Sequence, residues 1–184
     1  MKKKRFNGNQ KGLVMVFTGD GKGKTTSALG MAIRAAGQGK KVLMVQFIKD
    51  FADYGEIKFA KKCPHTLEII SMGKGYVGIF GDKLPLSEHK KAAKRGLEFA
   101  RKKGLSNRYF MIILDEVNVA LKLRLLKIDE VIRFIKRLQN KVHIVLTGRD
   151  AHKKLLQIAD LVTEMKEIKH PFRKGLLAQE GIEF

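Results

Sequence analysis

The chain has 184 residues, 44% of them apolar, which is enough for one domain with a real core and too few for two. Lys and Arg number 38 against 18 Asp and Glu, a formal charge of +20, and a single cysteine, Cys63, rules out an intramolecular disulfide framework and fits a reducing cytoplasm. The basic residues are scattered through most segments rather than gathered in one arm or stripe, so a basic surface is expected without a dedicated nucleic-acid site.

Met1 to Arg5 looks like the basic start of a signal peptide. The apolar run after it, Leu13 to Phe17, is too short for one and feeds directly into a glycine-rich loop. Residues 1–12 are therefore expected to be a basic arm on a single domain spanning 1–184, with no export signal, and no stretch approaches the length of a membrane span. Leu13 to Phe17 reads as the first strand, and Gly19-Asp20-Gly21-Lys22-Gly23-Lys24-Thr25-Thr26 as a phosphate-binding P-loop opening a helix from Thr25 to Ala36. The chemistry follows from the residue types. Glycines let backbone N–H groups close around phosphate oxygens, Lys24 adds a point charge, and the Thr25 hydroxyl is a ligand for Mg²⁺. The usual spacing would place a first glycine at position 18, where this chain has Thr18.

Further apolar runs at Val42 to Phe47, Leu67 to Ile70, Phe110 to Leu114, Val142 to Leu146 and Leu161 to Met165 read as strands. Between them lie helical patterns: one with Ser87 as N-cap, Glu88 in its first turn and Ala93, Leu97 and Ala100 on one face, another with Val131, Ile132, Ile135 and Leu138. Uniformly apolar strands separated by helices predict an α/β fold, a mostly parallel sheet with helices on both faces. Ligands in such sheets lie outside the carboxyl ends of the strands. Those ends carry the P-loop, Asp115, Glu116, Thr147 and Arg149. An apolar strand ending in Asp115-Glu116 has the form of a Walker B element able to hold Mg²⁺, and the Arg149 guanidinium after Gly148 reads either as a phosphate contact or as a surface arginine. The five histidines show no ligand spacing, no Ser/His/Asp set is readable, and the irregular stretches are the first dozen residues, Met72 to Gly81 and the tail from Lys169.

Several motifs in order resemble one family: Gly19 to Thr26, Arg34-Ala-Ala-Gly-Gln-Gly39, Val45-Gln-Phe-Ile-Lys49, Leu114-Asp-Glu-Val-Asn118, Leu146-Thr-Gly-Arg149, Ala159 to Met165, His170-Pro-Phe and Gly181-Ile-Glu-Phe184. Together they are similar to the ATP:corrinoid adenosyltransferases of the CobA/CobO/BtuR type, over nearly everything from Leu13 onward. The resemblance implies a RecA-like P-loop fold, a homodimer, Mg²⁺ with ATP, and a Co(I) corrinoid whose cobalt attacks the 5′ carbon of ATP so that triphosphate leaves. It also implies an electron donor that supplies Co(I). On this reading Lys24, Lys22 and the loop N–H groups hold the triphosphate, Thr25 and Glu116 hold Mg²⁺ with Asp115 in support, and Arg149 adds a phosphate contact.

Relatives commonly carry a Phe and a Trp, two residues apart, against the corrinoid. Here Tyr76 stands at the first place and Gly78 at the second, and the chain has no Trp, so Tyr76 and Phe80 are the expected aromatic contacts. Two other readings of the residues are a RecA-like nucleic-acid-stimulated ATPase and a nucleotide-dependent binding module.

Overall fold

The computed structural model describes residues 11–49, 54–75, 77–79 and 81–183. Of the expected arm 1–12 only Lys11 and Gly12 fall inside these ranges, and Tyr76 and Phe80 lie outside them. Six strands form one sheet: β1 (Val14–Thr18), β2 (Val42–Gln46), β3 (Leu67–Ser71), β4 (Met111–Asp115), β5 (His143–Thr147) and β6 (Leu161–Glu164). Their spatial order is β3-β2-β4-β5-β1-β6, and every pairing is parallel. Parallel neighbours need crossovers. These are α1 (Lys24–Gly37), α2 (Gly55–Lys62), α3 (Leu86–Leu105), α4 (Val117–Lys122), α5 (Ile128–Leu138) and α6 (Lys153–Ile158), followed near the end of the chain by a 3₁₀ turn at Pro171–Lys174.

The two faces of the sheet separate by strand alternation. Met15, Phe17, Val42, Met44, Met111, Ile113 and Val145 pack with Ala28, Ala32 and Ala35 of α1 and Ile57 and Ala60 of α2. Val14, Val16, Leu43, Val45, Ile112, Leu114, Ile144 and Leu146 face the opposite layer, built from α3, α4, α5 and α6 through residues such as Ala93, Leu97, Val117, Val131, Ile135 and Leu155. Each large aliphatic side chain buried here contributes about 1.5–3 kcal/mol. The parallel α/β fold expected from the sequence is therefore the fold observed.

Three local expectations change. Helix α3 begins at Leu86 after Pro85, so Ser87 lies inside the first turn and makes no capping hydrogen bond, while Glu88 does fall in that turn. In α5 Phe134 joins Val131, Ile135 and Leu138 on the buried face and Ile132 is only half-buried; the helix start is fixed by the Glu130 carboxylate accepting from the Lys127 N–H at 2.7 Å. Finally, β6 is exposed along its whole length, so the sheet is covered on both faces only from β3 to β1. Cys63, at the end of α2, is half-buried.

Helix α3 comes closest to the sheet at Gly104, where an added Cβ would stand 2.7 Å from both Ile112 Cδ1 and Leu138 Cδ1. Replacing Gly104 with Val should lower the unfolding free energy by about 1–3 kcal/mol, as overpacking of a filled core does. Urea denaturation checks this, and an unchanged midpoint would show that the core yields at that point.

Candidate active site

The carboxyl ends of β2, β4 and β5 and the start of α1 converge on a buried carboxylate. Asp115, fully buried at the end of β4, accepts at Oδ1 from the Thr25 hydroxyl (2.8 Å) and from the Thr147 hydroxyl (2.7 Å). Its Oδ2 accepts from Gln46 Nε2 at 3.3 Å and lies 3.6 Å from the Lys49 ammonium. Thr147 Oγ1 in turn accepts from the Glu116 N–H at 2.9 Å, so one hydroxyl fixes both members of the acidic pair. Four elements thus meet at one side chain. The Thr25–Asp115 contact joins the P-loop helix to the acidic strand end, two features that are 90 residues apart in the sequence.

Glu116 caps α4 with φ of +62°, a left-handed conformation uncommon outside glycine. Beside it Gly148 has φ of +120°, and a Cβ there would stand 3.1 Å from Glu116 Oε2. Glycine at 148 therefore makes room for the carboxylate. Burial, followed by the nearby Asp115 charge, pushes the Glu116 pKa up to about 7, with Lys24, Lys49 and Arg149 opposing. Asn118 is also fully buried; its Nδ2 donates to the Gly148 carbonyl at 3.1 Å, and its Oδ1 is the one buried side-chain polar atom without a hydrogen-bond partner among the described residues.

The P-loop itself has an unexpected support. A Cβ on Gly19 would meet the Met165 carbonyl oxygen at 2.4 Å, and one on Gly21 would meet the Lys166 backbone at 2.8 Å. The Gly21 N–H donates to the Met165 carbonyl at 2.7 Å, and the Met165 N–H donates to Thr18 at 2.8 Å. The first two loop glycines are thus required by the chain leaving β6. Gly23 is different: its φ of +123° sets the turn into α1, and its nearest neighbour is Met165 Cγ at 3.7 Å. Thr18, at the place where a glycine usually stands, is the last residue of β1, and its hydroxyl accepts from the Ala151 N–H at 3.1 Å.

Lys24 is buried, and its ammonium donates to the carbonyls of Gly19 (2.8 Å) and Gly21 (2.7 Å). Burial pushes its pKa below the usual lysine value, against the attraction of Glu116. Arg149 and Asp20 are exposed with 4.0 Å between their charged groups, and Arg149 is close enough to act electrostatically on both Lys24 and Glu116. Lys22 and Thr26 are exposed, Lys22 on the loop and Thr26 in the first turn of α1.

The sequence reading placed Thr147 at the strand ends and quoted Gln46 and Lys49 within a family motif without giving any of them a role, and it passed over Glu56. Lys49 contacts Glu56 at 3.1 Å as well as Asp115, and stands 4.8 Å from the centre of the Tyr54 ring. Burial works against its charge, but Asp115 and Glu56 outweigh it and lift the ammonium above the usual lysine range. The available signal was the run Val45-Gln-Phe-Ile-Lys49 and its position: Gln46 ends β2, and Lys49 follows three residues later.

Buried carboxylates beside a P-loop, on a parallel sheet of this order, define a RecA-like P-loop α/β protein. Two solved structures share the fold: the flagellar accessory protein FlaH of Methanocaldococcus jannaschii, with a TM-score of 0.56, 14% identity, and coverage of 84% of this chain and 71% of that one, and a KaiC-like protein of Pyrococcus horikoshii OT3, with 0.50, 16%, 86% and 75%. Residues 10–184 match the family described as ATP:corrinoid adenosyltransferase BtuR/CobO/CobP. Corrinoid adenosyltransferases from a Sinorhizobium species (39% identical, spanning 96% of this chain and 82% of the relative), Pseudomonas aeruginosa PAO1 (37%, 96% and 85%) and Salmonella typhimurium (35%, 95% and 87%) are similar throughout. The chain belongs to the ATP:corrinoid adenosyltransferase family of enzymes.

Because the folded-state pKa of Glu116 is raised from 4.5 to about 7, the native protein binds that proton more tightly than the unfolded chain does. Its contribution to stability is fully present below pH 4.5 and is lost as pH rises to about 7, on the order of 3 kcal/mol in all. Metal-free protein should therefore lose stability between pH 5 and 8, and Glu116→Gln should flatten that slope. Denaturation midpoints across this range test it; parallel profiles for the two proteins would mean that Glu116 titrates normally.

Proposed function

We propose that this protein transfers the 5′-deoxyadenosyl group of ATP to the Co(I) centre of a corrinoid and releases triphosphate, as one domain working in homodimeric form in the cytoplasm. The observation that supports the chemistry best is the Thr25–Asp115–Glu116 cluster beside Lys24, in a chain that matches the adenosyltransferase family over residues 10–184. The cobalt supplies the electron pair for the new Co–C bond, the C5′–O bond breaks, and its pair departs on the triphosphate. A nucleophile of that strength needs no protein base. The protein's share is to orient ATP, exclude water and stabilise charge on the leaving group.

Lys24, Lys22, Arg149 and the N–H groups of the P-loop are the residues proposed for that charge. The Gly21 N–H is already committed to Met165, so the amides around Gly23, Lys24 and Thr25 at the start of α1 are left with the larger part. Mg²⁺ fits the residues present. Asp115 and Glu116 form a buried acidic pair in which burial and mutual repulsion hold a proton on Glu116 to about pH 7, an arrangement a divalent cation would relieve, and the Thr25 hydroxyl adjoins it. Among the described residues no group of three or more His, Cys, Asp or Glu could hold a metal alone, which suits an ion bound by few protein ligands together with phosphate oxygens. When bound, the ion supplies charge neutralisation to the phosphates. Tyr76 and Phe80 are proposed to contact the corrinoid, and a separate electron donor to provide Co(I).

A homodimer is supported by the exposed edge. Leu161, Val162, Ile168, Phe172 and Leu177 are all exposed, and the segment from Ala159 onward has five acids against four bases in a chain of net charge +20. Its balanced charge and exposed apolar side chains suit contact between two copies of a basic chain. The nucleic-acid-stimulated ATPase is not favoured by the family match. Among the described residues no helix is long and apolar enough to cross a membrane.

Purified protein given ATP, Mg²⁺ and chemically reduced cobalamin should yield a light-sensitive adenosylated corrinoid with one equivalent of triphosphate. ADP and phosphate without that product would overturn the proposal. Lys24→Ala should lower kcat by on the order of a hundredfold, as loss of one charge-stabilising donor does, because its ammonium counts most when charge gathers on the leaving group. Near-normal turnover would remove the P-loop lysine from the chemistry. Binding to DNA or RNA should be weak and fall steeply with salt, and stimulation of ATP turnover by either would revive the ATPase reading.

A further inference from the structure

Lys49 holds a place that a P-loop site does not ordinarily fill. In the general arrangement the acid at the strand end and the loop hydroxyl serve the metal ion, and no lysine stands against that acid. Here the Asp115 carboxylate divides between two sides. Oδ1 accepts from Thr25 at 2.8 Å and from Thr147 at 2.7 Å, and because Thr25 gives its proton to that bond, its hydroxyl oxygen keeps lone pairs for a cation. Oδ2 turns the other way, to Gln46 Nε2 at 3.3 Å and the Lys49 ammonium at 3.6 Å.

A second carboxylate holds the ammonium there. Glu56, in the first turn of α2, accepts at Oε1 from Lys49 Nζ at 3.1 Å and from Gln46 Nε2 at 3.2 Å. Gln46 and Lys49 thus each span the same two acids, and the four side chains close a ring. The Asp115 side chain has no exposure, Glu56 is 13% exposed and Lys49 20%, with the Tyr54 ring centre 4.8 Å from Nζ. Burial opposes the ammonium charge, but Asp115 and Glu56 outweigh it. The Gln46 amide already gives Oδ2 a hydrogen bond, so Lys49 adds a full positive charge beyond what satisfying that oxygen requires. That charge repels any other cation drawn to the acidic pair.

We infer that Lys49 is the resident counter-ion of Asp115 and keeps divalent metal off the acidic pair until ATP phosphates arrive, so that the ion enters the site only together with the nucleotide. This rests on the reading of Thr25, Asp115 and Glu116 as the metal-holding residues. The reason is charge balance: two carboxylates with a lysine beside them attract a divalent ion less than the bare pair does, and phosphates restore the missing negative charge. A lysine that merely docked α2 against β2 would not govern metal affinity.

The test titrates Mn²⁺ into nucleotide-free protein and follows the free ion by electron paramagnetic resonance, for wild type, Lys49→Met, Lys49→Arg and Glu56→Gln. Lys49→Met should bind Mn²⁺ about tenfold more tightly than wild type, as loss of one neighbouring unit charge does even with the screening of water, and Mg²⁺ should compete. Lys49→Arg keeps the charge and should match wild type. Glu56→Gln breaks the same ring but leaves the ammonium, so it should show no gain. Unchanged affinity in a folded Lys49→Met, or an equal gain in Glu56→Gln, would overturn the inference. Should Lys49→Met fail to fold, Lys49→Gln, which retains a donor for Glu56, decides in the same way. A gain that survives the addition of Glu116→Gln would place the metal elsewhere and fail the metal reading together with the inference. A wild type that requires Mg²⁺ for adenosylation, with no gain in the Lys49 variants, fails the inference alone.

Discussion

Asp115 holds the active-site end of the molecule together. A carboxylate with no exposure is costly unless its lone pairs are taken up, and here hydroxyls from α1 and β5, an amide from β2 and a lysine ammonium take them up. Thr25, Thr147 and Gln46 come from three different elements and Asp115 from a fourth, so the burial of one group fixes the relative positions of the P-loop helix and three strand ends. Removing any one donor would leave the charge partly unpaired in a dry interior. Glu116, next in the chain, has no such set of donors, and it is the member of the pair on which burial and repulsion hold the proton.

A second constraint acts on the P-loop from outside. The backbone at Met165 and Lys166 comes so close to Gly19 and Gly21 that no side chain fits at either position, and one loop N–H is bonded there. In the general P-loop argument glycines serve the phosphate. Here two of them make room for the chain leaving β6, and Gly23, with φ of +123°, sets the turn into α1. The shifted spacing, with Thr18 where a glycine usually stands, follows because that residue is still part of β1 and its hydroxyl is bonded to the Ala151 backbone.

Charge is arranged by the same logic at larger scale. The chain is strongly basic, yet at the site the cations are individually engaged: Lys24 by loop carbonyls, Lys49 by Asp115 and Glu56, Arg149 facing Asp20. Among the described residues the remaining lysines and arginines are spread over helices and loops alike. The exposed edge from β6 onward is nearly neutral and apolar, which sets it apart from the rest of the surface.

The sequence by itself determined the parallel α/β class, six strands close to their observed bounds, the P-loop, the acidic strand end and the family. These depend on local pattern: apolar runs with period two against helices, and motifs whose members are neighbours along the chain. The short helices α2, α4 and α6 were not foreseen, because six to eight residues give too little periodicity to read. Glu56 was missed, and the contacts of Gln46, Lys49 and Thr147 with Asp115 were not foreseen, because a single polar residue shows no partner until strand order brings it together with others. Only the tertiary structure decided that β6 lies open at the edge, that its exit backbone shapes the P-loop, and that Asp115 meets Thr25. The physical reason is that hydrogen bonds to a buried group depend on distance in space, and residues 90 positions apart become neighbours only when β1 and β4 take their places in the sheet.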